Sequence, residues 1–87
     1  MTIKHVISEI ENCHLEPTRK AVIDINRLLQ NNKLLLLKSI NDDSAISIFT
    51  NFENMSQVSY HDYNSTSFKE DYLKQYHLLN YYLNKIY

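Results

Sequence analysis

Three side chains near the start of the chain, His5, Glu9 and Cys13, are of types that bind metals. They recur every four residues, so on a helix they share one side. A zinc site needs four ligands, or three and a water, and no second cluster in the sequence has matching spacing. His61, Glu70 and His77 would need the fold to bring them together. Cys13 and His14 are adjacent, but adjacent side chains on a helix point about 100° apart and do not make a nucleophile–base pair. Cys13 sits at the margin of an apolar stripe and reads as a small core residue. Carboxylates pair at Asp42-Asp43 and at Glu70-Asp71. Turn chemistry accounts for the first pair, and the dipole at a helix start for the second. The sequence contains no glycine. That excludes the nucleophile elbow, the phosphate-binding loop and the dinucleotide fingerprint. The expectation is a protein that is not an enzyme and has no cofactor and no metal.

Nucleic acid is the next class to weigh. Residues 18–38 carry Arg19, Lys20, Arg27, Lys33 and Lys38 against Asp24, a net of +4, whereas residues 39–68 carry Asp42, Asp43, Glu53 and Asp62 with no cation, a net of −4. Stacking aromatics are plentiful, yet most lie in residues 60–87, away from the basic segment. A formal net charge of −1 lacks the usual electrostatic footprint of a nucleic-acid binder. A nucleic-acid-contacting regulator that uses the basic helix 17–38 is therefore the alternative rather than the leading reading. The two charged segments read first as solvated faces, and otherwise as a bipolar surface that selects a partner by charge.

What remains are apolar residues that break a helix's own pattern. Leu73, Leu78 and Tyr81 fall among Glu70, Lys74, His77 and Lys85, and Ile23 falls between Arg19, Arg27 and Gln30. Exposed apolar residues with tyrosine and arginine nearby have the composition of a protein–protein contact. Ile23, Arg27, Leu73, Leu78 and Tyr81 are the candidate partner-binding residues. Self-association, as a homodimer through the last helix, or burial against the sheet accounts for the exposed apolar residues equally well.

The elements that must position these groups are read from periodicity. Phe68, Tyr72, Tyr76, Leu79, Leu83 and Ile86 recur at three and four, which predicts a helix over 67–87. Ser67-Phe68-Lys69-Glu70 matches a capping box at its start. Thr2 caps a first helix with the stripe Ile3, Val6, Ile7 and Ile10. Pro17 starts a second helix that buries Ala21, Val22, Ile25, Leu28 and Leu29. Gln30-Asn31-Asn32 either ends that helix or lets it run on to Ile40. Ser44 to Thr50 partly alternates and is β-branched, and Val58 to Tyr63 reads as a short edge strand. The expected fold is α+β: two N-terminal helices, a three-stranded antiparallel meander over 33–63, and a long C-terminal helix packed on it. The alternative is an all-α four-helix bundle, because Ile46, Phe49, Phe52 and Met55 also fit a spacing of three. With no glycine, turns that require positive φ fall to Asn or Asp.

Eighty-seven residues predict one small globular domain, residues 1–87. A chain this short buries roughly 60–65% of its unfolded surface, which leaves one modest core. The single cysteine forms no internal disulfide and suits a reducing compartment. The first thirteen residues lack an apolar signal region, and the longest aliphatic run, Leu34 to Leu37, is too short to span a membrane. A cytoplasmic protein with no membrane partner is expected. Together these features favour a small protein-binding inhibitor or regulator, of bacterial immunity or phage anti-defence (anti-CRISPR-like) type. Its partner would be another protein, and nucleic acid an unlikely one.

Overall fold

In the computed structural model, residues 2–13, 17–58 and 63–86 are described. Five α-helices follow in order: α1 Ile3–Cys13, α2 Arg19–Asn31, α3 Lys33–Ile40, α4 Ile46–Ser56 and α5 Thr66–Asn84, with a 3-10 turn at Asp43–Ala45 before α4. The described residues contain no strand, so the α+β expectation is overturned and the all-α alternative fits. Most of the predicted meander is α3, the 3-10 turn and α4. Residues 59–62 of its third strand lie outside the described residues.

The reason lies in burial. Phe49, Phe52 and Met55 recur at three, Ile48 lies four before Phe52, and all four are buried from α4. A strand would have divided them between two faces. The β-branched character of Ser44 to Thr50 is a weak local preference, and packing of the apolar face overrides it.

Helix ends differ from the sequence reading by one or two residues. Helix α2 starts at Arg19 rather than at Pro17, and Thr18 caps it, its hydroxyl accepting the Ala21 N–H at 3.1 Å. Ser65, not Ser67, caps α5, accepting the Phe68 N–H at 3.0 Å. The Thr2 hydroxyl accepts the His5 N–H at 3.3 Å, as the sequence predicts. At Asn32 the chain both stops and continues. Its backbone N–H and side-chain amide both donate to the Leu28 carbonyl, at 3.2 and 2.8 Å. Its own carbonyl accepts from Leu36, which starts α3 at once. The single positive φ among the described residues is at Asn41, 55°, which ends α3 in the left-handed conformation. Asparagine there substitutes for the absent glycine.

The packing is layered around α2 and α4. Helix α1 packs on α2, α2 on α4, and α4 on α5. One cluster joins Val6, Ile7 and Ile10 to Val22, Ile25 and Leu29, then to Phe49 and Phe52, and finally to Tyr72, Leu79 and Leu83. Burying each of the larger side chains contributes about 1.5–3 kcal/mol. Phe52 meets Tyr72 edge-on at 6.4 Å between ring centres, and Tyr63 meets Phe68 likewise at 4.6 Å. Polar ties fix the register: Gln30 to the Phe49 carbonyl at 3.1 Å, and Asn51 to Gln75 at 3.0 Å. No described helix is long and apolar enough to cross a membrane.

Candidate functional site

The core stripe of α5 fixes which side of it faces outward. Phe68, Tyr72, Leu79 and Leu83 are buried. At 100° per residue, His77 and Tyr81 lie on the opposite side, with Leu73 and Leu78 on its two flanks, about 140° apart around the axis. Leu73, Leu78 and Tyr81 are 42%, 40% and 58% exposed. These three are the sequence-selected residues that the structure leaves exposed on the outer half of α5.

The C-terminal end of this face is held by polar contacts with the turn before α4. The Asp42 carboxylate accepts from the Ser44 N–H at 3.0 Å and the Ser44 hydroxyl at 2.6 Å. The Ser44 hydroxyl also shares a hydrogen bond with the Tyr82 hydroxyl. The Lys85 ammonium donates to the other Asp42 oxygen at 3.2 Å. Its Nζ lies 4.8 Å from the centre of the Tyr81 ring and 5.2 Å from that of Tyr82, and the two rings meet edge-on at 5.3 Å. The two Ser44 hydrogen bonds, with Lys85 third, lower the Asp42 pKa. The bond to Asp42 raises that of Lys85. Tyr81 is thus an exposed aromatic ring flanked by a cation and a second ring. A side chain already restrained in this way loses less entropy when a partner covers it.

Ile23 and Arg27 stand elsewhere. Ile23 is half-buried on α2, and the Arg27 guanidinium donates to Asp24 at 2.8 Å. Asp24 also takes Lys20 at 2.9 Å. Helix α2 packs on α1 and α4, while α5 packs on α4, so the structure does not place Ile23 and Arg27 on the α5 face. The basic segment is also less free than its composition suggests. Asp24 engages two of its five cations, and the bend at Asn32 divides the remainder between α2 and α3.

His5, Glu9 and Cys13 are engaged with one another. His5 Nε2 lies 3.0 Å from Glu9, and the Cys13 thiol donates to the Glu9 carbonyl at 3.2 Å. Burial, followed by the nearby Asp24 charge, pushes the Cys13 pKa up, which disfavours the reactive thiolate. Among the described residues, no group of three His, Cys, Asp or Glu side chains is placed to hold a metal ion. His14 and His61 lie outside the described residues.

Sequence reasoning missed a second apolar group. Leu34 is 85% exposed on α3, with Leu35 at 39%, and Ile46 at the start of α4 is 43% exposed. The signal was present: four successive leucines on a helix cannot all face one core. Assigning them to a strand concealed it. No family model matches the chain, and comparison with curated proteins and with solved structures gives no match.

Proposed function

We propose that this protein binds another protein through the outer face of α5 and regulates it by occupying its surface, as an inhibitor does. The observation that carries this reading is Tyr81, which is more than half exposed yet flanked by Lys85 and Tyr82, with exposed Leu78 on one flank of the outer side and Leu73 on the other. Restrained aromatic anchors with apolar neighbours supply most of the affinity in protein–protein contacts. Phage or bacterial immunity is the biological setting in which so small an inhibitor would act.

The test starts with affinity capture from the native host and continues with the captured partner in purified form. Calorimetry is expected to give a stoichiometric complex that Tyr81→Ala weakens by about thirtyfold, the effect of a 2 kcal/mol hot spot. Circular dichroism of Tyr81→Ala is expected to match the wild type, because the ring lies outside the core. The partner's activity is expected to fall in proportion to occupancy. A folded Tyr81→Ala protein that retains full affinity would end this reading. Light scattering over a dilution series examines self-association: a dimer that Leu73→Asp disrupts would assign the face to a second copy instead.

A further inference from the structure

A cleft of about 570 Å³ opens between the start of α2 and the start of α5. That volume is within the roughly 300–1,000 Å³ range of small-molecule sites. Leu73, Leu78 and Tyr81 are not part of it. Its charged lining is Arg19 and Lys20 from α2 and Lys69 from α5, and no described carboxylate joins them. Lys20 has Asp24 as counter-ion, but Arg19 and Lys69 have no ion pair among the described residues.

One wall is fixed. Tyr63 is buried and its hydroxyl donates to the Met55 carbonyl at 2.7 Å, so its ring forms a rigid side of the cleft. Asn64 adds an exposed amide. Thr18 already accepts the Ala21 N–H, so the helix end is capped and the side-chain cations make the site. Cations that line one cleft repel one another, and an anion placed between them relieves that repulsion.

We propose that this cleft binds the phosphate or pyrophosphate group of a small molecule, with Arg19 as a two-pronged donor and Lys20 and Lys69 as point charges. A guanidinium fork matches the edge of a phosphate, and lysine ammoniums complete its remaining oxygens. A phosphate monoester carries nearly two negative charges and three free acceptor oxygens, whereas a carboxylate offers one charge on two. Arg19 and Lys69, the two lining cations with no ion pair among the described residues, therefore suit the two charges of the phosphate better. This site is independent of the α5 face, and of whether a protein partner exists.

The experiment is an amide-resolved NMR titration of the full chain at constant ionic strength, with inorganic phosphate, inorganic pyrophosphate and, as control, sodium acetate. Pyrophosphate is expected to cause saturable shifts concentrated at Thr18, Arg19, Lys20, Asn64 and Lys69. Added sodium chloride is expected to weaken them, because exposed charges are screened. The double variant Arg19→Gln, Lys69→Gln alters two exposed side chains and is expected to fold normally while losing about tenfold or more in affinity. Tyr81→Ala is expected to titrate like the wild type. The proposal is overturned by shifts that fail to saturate or that spread equally to Lys33, Lys38 and Lys74. It is equally overturned by acetate binding as well as pyrophosphate, or by the double variant binding as tightly as the wild type.

Discussion

Tyr72 lies where α5 meets the rest of the core, with no exposed surface and its ring against Phe52, Phe68 and Tyr76. Burial, then the neighbouring Tyr76 and Cys13, raises its pKa from 10.0 to about 12. The neutral phenol is the form the fold favours, so between these values the folded chain keeps a proton that the unfolded chain has released. The resulting stability is present below pH 10 and is lost as pH rises through about 12. Two pKa units correspond to about 2.7 kcal/mol. Burial also raises the pKa values of Tyr63 and Tyr76, which adds to the loss in the same direction. Urea midpoints measured from pH 8 to 11.5 are expected to fall in the wild type and to fall less in Tyr72→Phe. Equal slopes for the two proteins would remove Tyr72 from the account. Acid acts on a different contact. Asp42 has its pKa lowered, so its bonds to Ser44 and Lys85 hold above the ordinary carboxylate range and release as pH falls through the lowered value.

At the scale of elements, the start of α5 offers a direct comparison of sequence pattern with geometry. Ser67-x-x-Glu70 has the pattern of a capping box, but Ser65 makes the cap. Ser65→Ala is expected to cost about 1 kcal/mol, whereas Ser67→Ala, at the second residue of the helix, should stay within about 0.5 kcal/mol. Chemical denaturation of the two variants decides between the two serines, and a larger loss for Ser67→Ala would restore the pattern's reading. The existence of α1, α2 and α5 was legible because each has a long apolar stripe whose spacing admits one period. Their ends were not, because Ser, Thr and Asn are frequent here and several positions offer a similar cap. Residues 33–58 were read wrongly for a related reason. Helices α3 and α4 are only 8 and 11 residues long, and in α4 the β-branched Ile46, Ile48 and Thr50 bias so short a window toward strand. The candidate face followed the same rule. Leu73, Leu78 and Tyr81 were found because α5 was correctly phased, and Leu34 was missed because α3 was not.

For the whole molecule, the sorting of apolar residues between core and surface is the property most open to test. A chain of 87 residues has a total stability of roughly 4–13 kcal/mol. Leu34 and Leu36 differ by two positions on the same helix, yet Leu34 is 85% exposed and Leu36 is fully buried. Identical side chains with identical intrinsic preferences therefore isolate the contribution of burial. Leu36→Ala removes methyl groups from the cluster that unites all five helices and is expected to cost about 2–5 kcal/mol, a large share of the total. Because that cluster is continuous from α1 to α5, the loss should appear as a lower midpoint of one shared transition rather than as local melting of α3. Leu34→Ala is expected to leave stability within about 0.5 kcal/mol of the wild type. Thermal melts followed by circular dichroism and by tyrosine absorbance test both variants. Coincident curves with a large drop for Leu36→Ala alone are the expected result. Comparable losses in the two variants would mean that Leu34 is covered in solution, which would make α3 a contact surface in its own right.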